Sequence, residues 1–102
     1  MGYPFVQSNP VAGYVCTLQD FVTVNGEPPL NLSGATLVLL APDGTRTTSA
    51  ATVLDAPTGE LQVTFMPSIA GQYWRSYILS FSDGKAPCQT APQYSFWIDA
   101  AF

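Results

Sequence analysis

From Glu60 to Phe65 the side chains alternate without a break: Leu61, Val63 and Phe65 point one way, Glu60, Gln62 and Thr64 the other. A period of two with one apolar face predicts a half-buried β-strand. The same period returns elsewhere. In the segment Gln72 to Phe81, Tyr73, Tyr77, Leu79 and Phe81 share one face; Ser76 and Ser80 lie opposite, beside Trp74 and Ile78. Tyr94, Phe96 and Ile98 alternate with Gln93, Ser95 and Asp99, while Trp97 falls on the polar side. Tyr14, Cys16, Leu18, Val22 and Val24 align on a face that Asp20 interrupts, and a bulge is expected there. Thr36 to Ala41 is apolar on both faces and predicts a central strand. Thr45 to Thr52 is rich in Thr and Ser and predicts a solvated edge strand.

Between these segments the chain is punctuated at short intervals. Asn9-Pro10, Asn25-Gly26, Pro28-Pro29, Pro42-Asp43-Gly44, Pro57-Thr58-Gly59, Ala70-Gly71 and Asp83-Gly84 all turn the backbone, because Gly, Asn and Asp tolerate positive φ and Pro presets φ near −65°. The two Asp-Gly pairs suit tight hairpins. Helical periodicity is missing throughout, apart from one short turn that Ser68 to Gly71 could form. The pattern therefore predicts an all-β protein of seven or eight short strands, a sandwich or a small barrel. A length of 102 residues matches one such domain of roughly 100 and leaves no second core. Residues 1–12 are expected to form an N-terminal extended arm or edge strand, since Pro4 removes a ladder donor. Residues 13–102 are expected to form the single domain.

Composition sharpens this picture. Hydrophobic residues make up 47% and aromatics 13%, but charged residues only 10%, against about 25% in ordinary soluble domains. Either Thr, Ser, Gln and Asn cover the surface, or much of the surface is buried against partners, as charge-poor, aromatic-rich interface cores are. The aromatics exceed what one small core holds, which favours partners. Tyr3, Phe5 and Phe102 place rings at ends that would ordinarily fray, so they are candidate contact residues. Trp74 and Trp97, on the polar sides of their strands, are the others. Each is read as interface or core, with a sugar-stacking platform as the alternative.

Charge and chemistry narrow the function classes. A net charge of −4, with Arg46, Arg75 and Lys85 as the only cations, argues against nucleic acid and against an anionic membrane surface. The longest apolar run, Leu37 to Ala41, is far short of the ~20 residues of a bilayer span. Met1 to Phe5 has neither a basic start nor an apolar core of a signal peptide, so assembly in a cytoplasm is expected. Cys16 and Cys88 could pair on paper, but two free thiols fit a reducing compartment better. With no histidine, the commonest general base and the commonest zinc ligand are both missing. The seven acids are scattered, without a calcium-loop pattern. Two of them could still meet in space as an acid–base pair, although Asp43, Asp55 and Asp83 are accounted for by turns. No catalytic residue, metal or cofactor is expected. Asn31-Leu32-Ser33 matches a glycosylation acceptor but, without a secretion signal, is assigned no role.

One long stretch carries a family resemblance. The run Val24-Asn25-Gly26-Glu27-Pro28-Pro29-Leu30-Asn31-Leu32-Ser33-Gly34-Ala35-Thr36-Leu37-Val38-Leu39 resembles small immunoglobulin-like domains of bacteriophage tails and baseplates, in particular the N-terminal domain of the phage baseplate upper protein. The order of later pieces, from Pro42-Asp43-Gly44 through Thr58 to Phe65 and Leu79 to Gly84 to the strand Tyr94 to Ile98, is similar to that family over roughly residues 14–99. Ile69-Ala70-Gly71-Gln72-Tyr73 resembles the approach to strand F of immunoglobulin domains, which implies that Tyr73 is a corner tyrosine bonded back to backbone. Arg75 stands where the second cysteine of antibody domains would be, so an inter-sheet disulfide is not expected. The resemblance implies an immunoglobulin-like antiparallel β-sandwich. It also implies a non-enzymatic virion protein, a capsid decoration or cement protein or a tail or baseplate accessory, assembled in the host bacterial cytoplasm. Its expected partners are other virion proteins (major capsid, tail or baseplate) and further copies of itself. The alternative is a host-surface carbohydrate-binding module.

Overall fold

The computed structural model describes residues 10–90 and 94–100. Among these residues there is no helix. Seven strands form one antiparallel sheet: β1 (Cys16–Phe21), β2 (Leu32–Leu40), β3 (Arg46–Asp55), β4 (Glu60–Phe65), β5 (Gly71–Phe81), β6 (Cys88–Gln89) and β7 (Tyr94–Ile98). Neighbours run β1-β4-β3-β2-β5-β6, and β7 pairs the first half of β5.

β3 is the joint of this sheet. Its residues Arg46 to Ala51 pair with β2, and Thr52 to Asp55 pair with β4. Each half of β3 is therefore an edge, which the Thr- and Ser-rich stretch Thr45 to Thr52 predicts for the first half, yet the whole strand carries the chain from one side of the fold to the other. The sheet curls at this joint. Val22, Leu61 and Val63 from the β1–β4 side join Leu37 and Leu39 of β2, Tyr73, Tyr77 and Leu79 of β5, and Ile98 of β7 in a single buried cluster. The alternation read from the sequence produces this result: Leu61 and Val63 are buried while Thr64 is exposed. Central β2 buries Leu37, Val38 and Leu39 on both faces.

Turn chemistry sets the connections. Asn25 and Gly26 both have positive φ, 55° and 82°, and close the Val24–Glu27 bridge as a type I′ turn. Gly44, at φ 89°, ends the Pro42-Asp43-Gly44 hairpin loop, where the Asp43 carboxylate accepts the Thr45 N–H at 2.9 Å. That bond lowers the Asp43 pKa. The segment around Ile69 is not a hydrogen-bonded turn. Instead the Tyr73 hydroxyl donates to the Ile69 carbonyl at 2.7 Å, the backward bond that the sequence leads one to expect. Gly34 sits at a bulge inside β2, and a Cβ there would meet nothing, so no close approach requires it. Asn31 has a structural use: its amide donates to Asp83 at 3.1 Å, and its carbonyl accepts the Ser82 N–H at 2.8 Å.

Of the expected N-terminal arm, residues 1–9 lie outside the described residues. Val11 bridges Asp99 in parallel, with the Asp99 N–H donating to Pro10 and the Ala12 N–H to Asp99. The chain thus joins the sheet beyond the end of β7.

Gly59, just before β4, is packed tightly against the end of β1 and against Pro29. Its φ is 76°, its carbonyl accepts the Val22 N–H, and a Cβ would collide with the Val22 carbonyl and come within 2.9 Å of Pro29. Gly59→Ala is expected to destabilise the protein by at least about 2 kcal/mol in urea denaturation. Gly44→Ala, with open space around it, is expected to lose about 1 kcal/mol from the φ strain alone.

Candidate functional site: a buried ion cluster and two exposed faces

Asp20 does not interrupt β1. The strand pairs with β4 in unbroken register from Cys16–Phe65 to Phe21–Glu60, so the expected bulge is absent and Asp20 faces inward with Cys16 and Leu18. It is 7% exposed. A carboxylate buried in that way needs compensation. Arg75, on the facing side of β5, supplies it as a fork: Nε donates to Oδ2 and Nη2 to Oδ1, each at 2.7 Å. The fully buried Tyr77 hydroxyl donates to the same carboxylate. Arg75 also lies over the Phe96 ring, 5.2 Å from its centre, and Phe96 stacks on Tyr73 at 5.6 Å and meets Phe65 edge-on at 6.1 Å. The Asp20–Arg75 pair therefore crosses between β1 and β5. Among the described residues no buried side-chain nitrogen or oxygen lacks a hydrogen-bond partner.

The cluster's electrostatics follow from burial and pairing. Burial opposes the charge of Arg75, but the hydrogen bonds and charge of Asp20 outweigh it and hold the guanidinium above its ordinary value. Burial raises the Tyr77 pKa well above the ordinary tyrosine value of 10.0, and the bond to Asp20 and its charge add to the rise. Cys16 is raised by burial against the opposing charge of Arg75. Cys16 and Cys88 are both free thiols. A permanently charged arginine, a locked tyrosine and a raised thiol offer neither a proton shuttle near neutral pH nor a nucleophile. Among the described residues no group of three or more His, Cys, Asp or Glu side chains could hold a metal ion.

Two of the sequence candidates lie on the exposed surface. Trp74 is 40% exposed and Trp97 52%. The strand register places them on one outer face: Trp74 opposes Leu40 of β2 and Ser95 of β7, and Trp97 opposes Gln72. Leu40 is itself exposed and opposes Arg46 across the β2–β3 hairpin. Arg46, Leu40 and Trp74 thus form a row, with Trp97 diagonal to it. A shallow groove of about 220 Å³ runs between Val38, Leu40, Arg46, Trp74, Ser76 and Gln89. Tyr3, Phe5 and Phe102, the remaining candidates, lie outside the described residues.

A second apolar face lies on the opposite side of the curled sheet, and the sequence reading missed it. Phe21 is 58% exposed on β1, and Leu54 is 44% exposed on β3. Between them stands Glu60, paired with Phe21 on one side and with Asp55 on the other, where an irregularity in β3 brings Leu54 and Asp55 together. Alternation alone does place Phe21 opposite to Asp20 and Val22, so the signal was present. What it lacked was the fate of Leu54, which depends on that irregularity. No family model, curated protein or solved structure matches this chain.

Removing one partner of the buried pair leaves the other charged and desolvated. Asp20→Leu and Arg75→Met are each expected to destabilise the protein by about 3–5 kcal/mol. The double change Asp20→Leu/Arg75→Met is expected to be less damaging than either single change, a coupling that denaturant titration of all four proteins measures. A raised folded-state pKa for Tyr77 means that its contribution is fully present below pH 10.0 and is lost as pH rises toward the folded value. Alkaline titration at 295 nm is expected to show one tyrosine that ionises only as the fold opens, and Tyr77→Phe is expected to remove that phase.

Proposed function

We propose that this chain is an immunoglobulin-like β-sandwich that acts as a non-enzymatic contact module, and that it serves as a structural protein of a tailed bacteriophage. The sandwich reading draws on the strand order, on β3 passing between the two sides, on the parallel bridge of Val11 to Asp99, and on the corner bond of Tyr73. The virion reading rests on the sequence resemblance of residues 24–39 and the order of pieces after them. The contact role rests on one observation above all: Leu40, Trp74 and Trp97 lie exposed together on a regular, rigid strand face. Tryptophan on such a face is the residue type most often found to dominate binding energy.

Purified virions of the phage that carries the gene are expected to contain the chain in stoichiometric copies by mass spectrometry. A Trp74→Ala/Trp97→Ala chain that keeps its circular dichroism spectrum is expected to be lost from those particles. A chain absent from particles, or incorporated equally well without both rings, overturns the reading.

A second reading, a host-surface carbohydrate-binding module, uses the same rings. Gln72 stands beside Trp97 and Ser95 beside Trp74, so polar groups flank both stacking surfaces. Glycan binding that vanishes with either Trp→Ala change is the result this reading requires.

A further inference from the structure

One edge of the sheet carries no guard. Among the described residues β1 pairs with β4 alone and stands last in the strand order. The Val22 N–H donates to the Gly59 carbonyl, one step past the Phe21–Glu60 pair. Hydrogen-bonded and non-hydrogen-bonded pairs alternate along an antiparallel ladder, so Cys16, Leu18 and Asp20 direct their backbone groups at β4. The N–H and C=O groups of Thr17, Gln19 and Phe21 therefore point the other way, along the free edge. The side chains of the same residues are exposed, Phe21 at 58%. Proteins blunt such edges with a charge, a proline, a bulge or a very short strand. Here β6 is two residues long, the end of β7 is met by the Val11–Asp99 bridge, and the free half of β3 begins at Arg46. β1 has none of these devices. It is six residues long, in unbroken register, without proline, and its one charged side chain, Asp20, is buried and paired.

We propose that β1 is a dimer edge: the β1 strands of two copies pair antiparallel about a two-fold axis at Gln19. Two features select a second copy as the occupant. The first is that the pattern of free donors and acceptors is its own complement. With the axis at Gln19, that residue faces Gln19 of the other copy and Thr17 faces Phe21. Each already points its N–H and C=O outward, so every such pair is a hydrogen-bonded one. The second is charge. A chain with a net charge of −4 repels its own copies wherever acids meet, but the outward side of β1 has no ionisable side chain. On that side of the sheet Glu60 stands one strand back, beside Phe21. Pairing about Gln19 leaves the two Glu60 residues roughly 20 Å apart, well beyond the screening length of about 8 Å. Phe21 gains a β-branched neighbour in Thr17 of the other copy, a favourable cross-strand pair. The contact is isologous, so it closes at two copies. It goes beyond the contact-module reading, which concerns the Trp74–Trp97 face.

Sedimentation velocity and amide exchange followed by NMR, both over a range of concentrations, test it. The wild-type chain is expected to pass from monomer to dimer as concentration rises. The Thr17, Gln19 and Phe21 amides are expected to exchange more slowly in step with that change. Gln19→Lys sets two cations on the axis and is expected to weaken association about tenfold without altering thermal unfolding. Gln19→Glu is expected to do the same with two anions. An equimolar mixture of the two variants is expected to recover the dimer, because only a residue on the axis meets its own counterpart. A wild-type chain that stays monomeric into the millimolar range overturns the proposal. So does a dimer that both changes leave intact, or a mixture that stays monomeric. Protection of the three amides at every concentration also overturns it, by assigning the edge to a segment of the same chain. None of these results touches the contact-module reading, which stands or falls on incorporation into particles.

Discussion

A single buried carboxylate disciplines this fold. Asp20 lies under the β1–β4 side of the sheet, and its only adequate partners, Arg75 and Tyr77, project from β5. Measured against a well-packed apolar replacement, such a pair adds little net stability. Its effect is on geometry. Any arrangement that slides β1 against β5 strands a charge in the interior, a penalty of several kcal/mol. The aromatic bed of Phe96, Tyr73 and Phe65 extends the constraint to β7 and β4, because the guanidinium that holds Asp20 also sits over the Phe96 ring. A covalent cross-link would do the same work in an oxidising compartment. An ion pair does it with both thiols free.

The aromatic content divides along the same line. Tyr73 and Tyr77 are buried and hydrogen-bonded, and Phe65 and Phe96 pack at the edge of the cluster. Trp74, Trp97 and Phe21 face outward from regular strands, where neighbouring strands hold them in position. Rings on rigid strands lose little entropy on binding, so the exterior that looks costly in isolation suits contact with another protein. Low charge serves the same end. With so few ionisable groups to desolvate, the outer faces can be covered at modest electrostatic cost.

Much of the fold was legible because it is written locally. Alternation identified β4, β5 and β7, two-sided hydrophobicity marked β2 as central, and Asn25-Gly26 and Pro42-Asp43-Gly44 announced their turns by the φ values they permit. The Tyr73–Ile69 hydrogen bond spans only four residues and was within reach of a sequence reading. Arg46 could have been found too, since counting outward from the Pro42–Gly44 loop pairs it with Leu40. Trp74 and Trp97 were singled out because they broke the polar side of their strands, and their exposure agrees with that placement.

The sequence by itself determined the all-β class, the turns and the side of each strand on which a residue falls, because period two and turn chemistry act between near neighbours. Only the tertiary structure decided that Asp20 belongs inside, since its partner lies 55 residues away and an isolated Asp in an apolar face reads as a flaw. It also decided that β3 serves both sides of the sheet, and that Leu40, Trp74 and Trp97 share one exposed face while Phe21 and Leu54 share another. Those outcomes depend on which strands become neighbours. Pairing is set by the summed burial and electrostatics of the whole chain, which no local pattern contains.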